Sequence, residues 1–479
     1  MRRLVCVSNR ISLPRRGAAA GGLAVGVLAA LRHTGGLWFG WSGQTSPEPA
    51  ECPDVLQRGT VGFATIDLAP AELDAYYNGY CNGTLWPLFH YFPDRFTHEA
   101  RHHEAYQSIN RRFARQLLQL LEPDDVVWVH DYHLIPLGRC LRELGFGGPL
   151  GFFLHIPFPH QQMLRLLPDH ADLVRDICRY DVAGFQTMDD VDSFLTCVRG
   201  EAHPSSSHAC RIEFEGRELT AGAYPIGIDV DEVAAEARTA GGGETVRRMA
   251  VSLLGRRLIM GVDRLDYTKG LTERFAAFEQ FLERFPENQG QVTFLQIAPP
   301  SRPDVLAYSE IREALERSAG RLNGRFAEAD WTPIRYLNRD YSHPTLMGLL
   351  RAADVALVTP IRDGMNLVAK EFVAAQDAAD PGVLILSPMA GAARELSGAL
   401  QVNPYDKTGL ASALQTALNM PIHERRRRHQ DMLAAVRRHD IHHWYGTFLN
   451  DLTGEEIEQP GAADPPGRSP IGALGLRAL

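Results

Sequence analysis

Long apolar runs and a strong excess of one charge are both missing from this 479-residue sequence. No stretch approaches the ~20 apolar residues that a membrane-spanning helix needs, and the apolar run near the N-terminus is too short for a signal peptide. The 49 basic and 58 acidic residues give a formal charge of −9, which argues against nucleic acid or a membrane surface as a general partner. We therefore expect a soluble, cytoplasmic protein in which any anion site is local.

Cysteine is also scarce, and its pattern excludes a disulfide framework. The seven cysteines form an odd set without a CxxC pair, and none lies beyond residue 210. Disulfides therefore cannot staple the second half of the chain, and we predict reduced thiols. With 45% hydrophobic and 22% charged residues the composition is that of an ordinary globular protein, and the length favours two domains.

Short apolar runs alternate with helical patterns along the chain. The runs lie at 3–8, 124–130, 149–155, 180–187, 256–262, 291–298, 354–360 and 382–387. Continuous apolar runs are typical of strands buried on both faces, as in a parallel sheet covered by helices. Because the rhythm starts again after residue 250, we predict two α/β domains with a boundary near 223–233.

Parallel sheets bind ligands beyond the carboxyl ends of their strands, and two such sheets that face each other form a cleft. The residues that directly follow the predicted strands are polar or charged. They are Asn9, Arg10, Asp131, His155, Arg264, Arg302 and Asp363. This pattern predicts a polar site between the two domains.

Arg264 and Lys269 place two cations close to one predicted strand end. Arg264 follows the strand, and Lys269 lies in the turn that enters the next helix, where free N–H groups also favour an anion. Two cations about 4 Å from a phosphate would each contribute roughly 4 kcal/mol before desolvation, at an effective dielectric constant of about 20. The spacing leaves a second interpretation open, in which Arg264 pairs with Asp263 or Asp266 and Lys269 points to water.

The segment 358–372 supplies another candidate ligand surface. Asp363 ends a loop and a helix follows, so the backbone N–H groups of residues 365–367 could face a ligand. Asp363 suits sugar hydroxyls, and Glu371, one turn further along, suits the two hydroxyls of a ribose. The alternative is an Asp N-cap followed by an exposed Glu.

Gly21 and Gly22 open a helix after the first strand, where bare backbone can approach a phosphate. The loop fits neither the G-x-G-x-x-G pattern nor the P-loop pattern, so it is weak evidence by itself. His130 and His133 flank Asp131, but two His and one Asp with no distant partner make a poor zinc site. We favour contact between Asp131 and a substrate hydroxyl.

His155, Tyr77 and Trp86 each have a structural and a functional interpretation. His155 is either a core histidine or a sugar contact, and its place at a strand end, before a Pro-rich turn, favours the sugar contact. Tyr77 and Trp86 offer flat surfaces suited to a sugar face, although isolated aromatic residues more often belong to a core.

Ten sequence blocks together resemble one protein family. The blocks are SNRIS, AGGLAVGVLAAL, GLWFGWSG, LWPLFHY, HDYHLIPL, GFFLHIPFP, DRLDYTKGL, QIAPPSR, RDGMNLVAKEFVAAQ and VNPYD. In this order they resemble the trehalose-6-phosphate synthases, and the resemblance extends to about residue 452. So many long blocks are specific, whereas no single one is.

The resemblance implies an α/β protein with the GT-B fold. Two Rossmann-like domains would face each other across a cleft, and the C-terminal helix would cross back to the N-terminal domain. The implied units are an acceptor domain at 1–228, a nucleotide-sugar domain at 229–440, a crossover helix at 441–453 and a disordered tail at 454–479.

The implied activity is a retaining transfer of glucose from UDP-glucose to glucose 6-phosphate, which gives α,α-trehalose 6-phosphate and UDP. This is the first step of trehalose biosynthesis, with roles in osmoprotection and the stress response. The resemblance also implies a homo-oligomer, either a dimer or a tetramer, and no metal or other cofactor. It implies neither nucleic acid nor membrane as a partner.

The resemblance further assigns roles to individual residues. The donor-binding set is Gly21, Gly22, Arg264, Lys269, Tyr341, Leu367, Val368, Ala369, Lys370 and Glu371. The acceptor-binding set is Arg10, Tyr77, Trp86, Asp131 and Arg302. The catalytic set is Asp131, His155, Arg264, Lys269 and Asp363. On this assignment Arg264 and Lys269 await the leaving diphosphate.

Departing UDP gains negative charge, so fixed cations stabilise the transition state more than the ground state. Many nucleotide-sugar enzymes use a metal held by a D-x-D motif, which Arg264 and Lys269 would replace here. The sequence contains DVD at 190–192 and 229–231, but helix capping or linker chemistry accounts for both. No carboxylate clearly serves as a nucleophile for double displacement. We therefore favour front-face transfer, in which a leaving-phosphate oxygen takes the acceptor proton.

Other functions remain open at this point. The chain could be a related enzyme with another acceptor or donor, such as a glucosylglycerol-phosphate synthase or a pseudo-glycosyltransferase that joins cyclitols. It could also be a catalytically silent regulatory subunit, or a protein that only binds a sugar phosphate. The intact acceptor set and the presence of both clamps favour the synthase, whereas UDP-, GDP- and ADP-glucose all remain open as donors.

Overall fold

The computed structural model describes residues 2–11, 22–208, 210–301 and 306–456. The strands of these residues form two sheets. The first sheet contains β1 (Leu4–Arg10), β2 (Gly36–Thr45), β3 (Asp54–Arg58), β4 (Val61–Leu68), β5 (Val126–His130), β6 (Leu150–Phe153), β7 (Val182–Phe185), β8 (Ser206–His208), β9 (Arg211–Phe214) and β10 (Arg217–Ala223). The second contains β11 (Arg257–Val262), β12 (Val292–Ile297), β13 (Ile334–Leu337), β14 (Val355–Val358), β15 (Val383–Leu386) and β16 (Leu400–Gln401).

Helices connect most of the strands. The α-helices are α1 (Gly22–Thr34), α2 (Pro70–Glu72), α3 (Trp86–Phe89), α4 (Ala100–Leu118), α5 (Leu137–Glu143), α6 (Gln161–Leu164), α7 (His170–Ile177), α8 (Met188–Cys197), α9 (Val230–Gly241), α10 (Glu244–Leu253), α11 (Leu271–Arg284), α12 (Leu306–Phe326), α13 (His343–Arg351), α14 (Leu367–Ala375), α15 (Lys407–Leu418), α16 (Ile422–Arg438) and α17 (Ile441–Thr453). A π-helix spans Leu73–Leu85, and short 3₁₀ turns include Tyr132–Leu134 and Tyr267–Lys269.

The first sheet has a parallel core with antiparallel edges. The parallel strands run in the order β4-β2-β1-β5-β6-β7-β10, while β3 extends one edge and β9 and β8 extend the other. Every residue of β5, β6 and β7 is buried. This burial explains why these segments are continuous apolar runs in the sequence.

The second sheet is parallel throughout, in the order β13-β12-β11-β14-β15-β16. Numbered from its own first strand, this is the order 3-2-1-4-5-6 of a doubly wound nucleotide-binding sheet. The strand order reverses between β11 and β14, so the crevice that favours a ligand lies beyond the carboxyl ends of these two strands.

The chain passes between the two sheets twice, and the two crossings touch each other. The Ile441 N–H donates a hydrogen bond to the Ile228 carbonyl at 3.1 Å. A Cβ atom on Gly227 would lie 2.2 Å from the carbonyl carbon of Asp440. Only glycine therefore fits where the outgoing linker meets the returning chain.

After the second crossing, α17 packs against the first sheet and α1. The Trp444 ring lies 4.9 Å from that of Trp128 in β5, and the Phe448 ring stacks on Trp128 at 4.6 Å. Gly151 and Gly184 leave room for Phe448, since a Cβ atom on either would come within 2.8 Å of its ring. The C-terminal helix therefore belongs to the core of the first domain.

The architecture confirms the predicted α/β class. The first sheet ends at Ala223 and the second begins at Arg257, on either side of the predicted limit at 228/229. All seven cysteines are free, as predicted. Of the helices that the structure describes, none is long and apolar enough to cross a membrane. Most of the predicted tail, residues 457–479, lies outside the described residues.

Candidate active site

A cleft of about 530 Å³ lies where the carboxyl ends of the two sheets meet. Its first-domain wall includes Asn9, Arg10, Leu23, Tyr77, Trp86, Asp131, Tyr132, His133, His155, Ile156 and Gln186. Its second-domain wall includes Val262, Asp263, Arg264, Lys269, Asp363, Met365, Asn366, Leu367, Val368 and Glu371. The cleft is therefore lined by most of the residues that follow the predicted strands.

Four charged residues of this lining mark the points where the strand orders reverse. Arg10 ends β1 and Asp131 follows β5, which are neighbours in the first sheet. Arg264 and Asp363 follow β11 and β14, which are neighbours in the second sheet. Topology thus brings together side chains that are far apart in sequence.

Arg264 is a cation on the second-domain wall. Its guanidinium carbon lies 5.9 Å from the ring centroid of Trp86, across the cleft. Asp263 instead binds the buried Arg274 at 2.7 Å, and Asp266 accepts the Thr268 N–H at 3.0 Å. Among the described residues Arg264 has no acidic partner, so the alternative pairing with Asp263 or Asp266 does not occur.

Lys269 is held by a carboxylate rather than directed to water. Its nearly buried Nζ donates to Asp363 Oδ2 at 2.5 Å, and Asn366 Nδ2 donates to the same oxygen at 3.0 Å. An ammonium group has three hydrogens, so Nζ keeps donors for a ligand while Asp363 fixes its direction. Of the two predicted cations, Lys269 is therefore held by a carboxylate, whereas Arg264 has no acidic partner among the described residues.

Helix α14 begins at the cleft with an unusual backbone. Asn366, which precedes Leu367, has φ 72° and ψ 87°, a left-handed conformation that costs about 1–3 kcal/mol in a non-glycine residue. Gly364 lies against the first domain, since a Cβ atom there would lie 2.1 Å from the His155 carbonyl oxygen. The helix start is thus pressed against the first domain.

Leu367, Val368 and Glu371 line the cleft, but two other members of the predicted donor set do not. Ala369 is fully buried. Lys370 is also fully buried, and its Nζ donates to the Ile226 carbonyl at 2.9 Å and to Glu395 Oε1 at 2.8 Å. These side chains point away from the cleft because they lie on the opposite face of α14.

Glu371 is joined to a histidine on α13. His343 Nε2 lies 3.4 Å from Glu371 Oε1, and His343 Nδ1 lies 2.7 Å from Glu236 Oε2. The hydrogen bond to Glu371, followed by the field of both carboxylates, raises the pKa of His343 to about 9. A protonated imidazole therefore bridges two carboxylates and orients Glu371.

The first-domain wall carries a strained aspartate next to a histidine pair. Asp131 has φ 75°, and its Oδ1 accepts the backbone N–H of His155 at 3.2 Å. His155 Nε2 lies 3.2 Å from Nδ1 of the buried His130. Burial lowers the pKa of His155 to about 3, so its ring is neutral at physiological pH.

Four of the five predicted acceptor residues, Arg10, Tyr77, Trp86 and Asp131, lie together on the same wall. The exposed Arg10 guanidinium lies 5.7 Å from the ring centroid of Trp41, and Gly43 leaves space for it. Tyr77 stacks on His133 at 5.8 Å with an interplanar angle of 14°. Trp86 lies against the cleft and is only 4% exposed.

Three predicted residues lie elsewhere or beyond description. Gly21 and Arg302 are outside the described residues, while Gly22 begins α1 directly before Leu23 of the cleft lining. Tyr341 lines a separate surface hollow, and the Arg339 guanidinium lies 4.6 Å from its ring centroid. The predicted contact of Tyr341 with a base stays a prediction.

The two DVD segments have structural roles. Asp190 accepts the Phe158 N–H at 2.9 Å near the start of α8, and Asp229 caps α9 by accepting the Glu232 N–H at 2.9 Å. Throughout the described part of the chain, no group of three or more His, Cys, Asp or Glu residues could hold a metal ion. Metal independence of any reaction stays a prediction.

Gln186 and His343 are among the side chains at the site that escaped the sequence-based predictions. Gln186 directly follows β7, so the strand-end rule could have found it, and its Oε1 accepts the Ile226 N–H of the linker at 3.0 Å. His343 carries no such signal, because it lies 28 residues from Glu371 in sequence and only the fold brings the two together.

Two facing α/β domains, a returning C-terminal helix and a cleft with cations on both walls define a glycosyltransferase of the GT-B type. The chain belongs to glycosyltransferase family 20, whose sequence model matches residues 12–454. The fold and the family resemblance predicted from the sequence blocks are therefore confirmed.

Relatives match nearly the whole chain. A trehalose-6-phosphate synthase from Klebsiella pneumoniae subsp. pneumoniae is 47% identical over 456 residues, which cover 94% of this chain and 95% of the relative. The crystal structure of a UDP-forming α,α-trehalose-phosphate synthase from Burkholderia xenovorans in complex with glucose-6-phosphate is 50% identical, with a TM-score of 0.91 over 94% of this chain and 99% of that one. An E. coli structure bound with UDP-2-fluoro glucose is 45% identical and has a TM-score of 0.89. The match covers 94% of this chain and 98% of the E. coli chain.

Proposed function

We propose that this chain catalyses a retaining transfer of glucose from UDP-glucose to glucose 6-phosphate, with α,α-trehalose 6-phosphate and UDP as products. One observation carries the proposal: a single cleft holds Arg264 and Lys269 on one wall and Arg10 on the other. A donor diphosphate and an acceptor phosphate need two such separate cationic groups. The ligands of the B. xenovorans and E. coli relatives support the same two substrates.

The second-domain wall is suited to the donor. The start of α14 offers backbone N–H groups and a positive dipole end to the diphosphate, together with Arg264 and Lys269. Glu371, oriented by His343, would accept the ribose hydroxyls. Asp363 uses Oδ2 for Lys269 and Asn366, so Oδ1 is available for a hydroxyl of the donor glucose.

The first-domain wall is suited to the acceptor. Arg10 would hold the phosphate of glucose 6-phosphate, and Asp131 would accept a hydrogen bond from a hydroxyl group of its sugar. Trp86 and Tyr77 supply flat surfaces for the ring. A catalytically silent subunit would be expected to lack some of these groups, and the described members of both sets are present.

The reaction would proceed on one face of the donor sugar. As the bond between the sugar and UDP breaks, negative charge grows on the diphosphate next to Arg264 and Lys269, and these fixed charges stabilise it. A phosphate oxygen of the leaving group would take the proton of the attacking acceptor hydroxyl. Because attack and departure share one face, the anomeric configuration is retained.

The test is a donor panel with glucose 6-phosphate as the fixed acceptor. UDP-glucose, GDP-glucose and ADP-glucose would each be incubated with the protein, and the products would be identified by mass spectrometry and their anomeric configuration by NMR. A disaccharide phosphate of α,α configuration, formed from UDP-glucose, is the expected product. No transfer from UDP-glucose to glucose 6-phosphate, or a product of another anomeric configuration, would contradict the proposal.

We also propose that no metal ion takes part, since Arg264 and Lys269 supply positive charge where a metal would otherwise lie. Activity in excess chelator is expected to equal that of the untreated enzyme. A loss of activity that Mg²⁺ restores would contradict this point.

The working form of the enzyme is expected to be a cytoplasmic dimer or tetramer. Light scattering coupled to size-exclusion chromatography would measure the mass of the assembly against the 53.1 kDa of one chain. Cell fractionation would test the compartment.

A further inference from the structure

The neighbour of His155 beneath the cleft is His130, the last residue of β5. His130 is fully buried, and its Nδ1 lies 3.2 Å from His155 Nε2. His130 ends β5, and His155 follows the end of β6. Because these two strands are paired in parallel, their ends bring the two rings together. A hydrogen bond between two imidazole nitrogens requires one of them to carry the proton and the other to accept it.

Both rings are neutral. Burial, together with the field of His155, keeps the pKa of His130 well below its usual range, and burial lowers that of His155 to about 3. Two arrangements then satisfy the contact. Either His130 donates from Nδ1 to His155, or His155 donates from Nε2 to His130, and the two differ in what His155 presents to the cleft.

The aromatic surroundings of His130 distinguish the two arrangements. Its ring lies 4.5 Å from that of Trp128 and 6.2 Å from that of Trp444. Three buried ring nitrogens of this cluster have no hydrogen-bond partner among the described residues, namely His130 Nε2, Trp128 Nε1 and Trp444 Nε1. The two indole nitrogens can only donate.

An unprotonated His130 Nε2 would supply the one acceptor among these three ring nitrogens, and a bound water could link it to the indole donors. A protonated Nε2 would instead place three buried donors together without an acceptor. Orphaned buried N–H groups are rare and costly. The cluster therefore favours His130 with its proton on Nδ1.

We propose that His130 is a positioning residue that fixes the tautomer of His155. His130 donates Nδ1–H to His155 Nε2, so His155 carries its own proton on Nδ1, the nitrogen left for the cleft. His155 thus meets the transferred sugar as a hydrogen-bond donor, beside the carboxylate acceptors Asp131 and Asp363. The part of this inference that concerns the sugar rests on the proposed function.

This arrangement also gives the returning helix a part in the site. Trp444 lies on α17, and its indole N–H is one of the two donors that select the tautomer of His130. Trp444 and Trp128 thus set the tautomer of His130, and His130 in turn sets the tautomer of His155. None of the first three side chains lies in the cleft lining.

The direct test is ¹⁵N NMR of the full-length protein labelled at histidine, with the signals assigned from His130→Asn and His155→Asn variants. We expect a protonated Nδ1 and an unprotonated Nε2 on His155. A protonated Nε2 on His155 would overturn the proposal. The measurement uses the ligand-free protein, so its outcome does not depend on the proposed function, which the donor panel tests separately.

The kinetic test compares two substitutions of one residue. His130→Leu removes the hydrogen bond but keeps the site apolar, and we expect kcat to fall about 10-fold or more. His130→Asn keeps an N–H donor near the position of Nδ1, and we expect it to recover most of kcat at a similar melting temperature. Equal kcat in the two variants, or wild-type kcat in His130→Leu, would contradict the proposal.

Tryptophan variants separate this role from a general loss of packing. Trp444→Phe keeps the ring but removes one indole donor, and we expect kcat to fall about 2- to 5-fold as the two tautomers of His130 mix. The control is Trp331→Phe in the second domain, which loses the hydrogen bond from Nε1 to the Val292 carbonyl. This control is expected to lower the melting temperature without changing kcat. The proposal would be contradicted if Trp444→Phe and Trp331→Phe showed the same loss of kcat for the same loss of melting temperature.

Discussion

The two walls of the cleft use different chemistry. Beneath its surface the first-domain wall is neutral and aromatic, with His155 and His130 packed among tryptophan rings. The second-domain wall is built from ion pairs, such as those of Lys269 with Asp363 and of Lys370 with Glu395. An uncharged sugar can be oriented by ring nitrogens in a dry environment, whereas a leaving diphosphate needs positive charge, which Arg264 and the carboxylate-bound Lys269 would supply.

The largest expected effect comes from breaking a buried ion pair of the charged wall. Lys370→Met would leave the Glu395 carboxylate buried without its ammonium partner and free the Ile226 carbonyl, which we expect to lower the free energy of unfolding by about 3–5 kcal/mol. Denaturant unfolding would measure this loss. In the matched double variant Lys370→Met, Glu395→Leu, no charge is stranded, and most of the stability should return. Equal losses in the single and double variants would show that the charge is not the cause.

Removal of the Arg264 side chain should affect catalysis rather than stability. Arg264→Ala is expected to lower kcat about 100- to 1000-fold, because the growing charge on the leaving group loses a positioned donor. The melting temperature should stay within a few degrees, since Arg264 has no ion pair among the described residues. Arg317→Ala, on the exposed face of α12, is the control and should leave kcat unchanged. A near wild-type kcat in Arg264→Ala would remove the electrostatic argument.

The two walls are also expected to depend on their contact at Gly364. A Cβ atom there would meet the His155 carbonyl at 2.1 Å, so Gly364→Ala must push the start of α14 away from the first domain. We expect kcat/KM to fall about 10-fold or more, since small displacements of reacting groups are costly. Gly324→Ala in α12 meets nothing within 4 Å and should be neutral or slightly stabilising. An equal kcat/KM in Gly364→Ala and Gly324→Ala would contradict this prediction.

The smallest expected effect is a pH dependence of the charged wall. The pKa of His343 is raised from 6.5 to about 9, so its stabilising contribution is fully present below pH 6.5 and is lost as the pH rises through 9. The difference in melting temperature between wild type and His343→Gln should therefore shrink over this interval. In the wild type, the KM for UDP-glucose should rise by a few-fold as Glu371 loses its partner. His423→Gln, at the exposed start of α16, is the control and should match the wild type at every pH.

Sequence patterns predicted eight central parallel strands of the two sheets and missed the edge strands and the parallel strands β2, β4 and β10. All eight predicted strands exist, because buried parallel strands must be apolar along their whole length. The exposed β3, the two-residue β16 and the glycine-containing β2 lack that signature. Their positions are fixed by pairing with neighbouring strands rather than by local composition.

The site was predictable to the extent that it follows strand ends. Arg10, Asp131, His155, Arg264 and Asp363 line the cleft for that reason. Their partners were not predictable, because Lys269 and Asp363 are 94 residues apart and no local pattern records such a pairing. The side-chain direction of Lys370 likewise depends on how α14 packs against the linker.

The position of Trp444 has a consequence for how this protein is made. Ribosomes deliver the first sheet early and α17 much later, yet Trp444, whose ring lies 6.2 Å from that of His130, is on α17. A nascent chain can therefore form most of its first domain long before that domain acquires its finished histidine pair. The histidine pair of the first domain is therefore completed only after α17 has been synthesised and has packed against the first sheet.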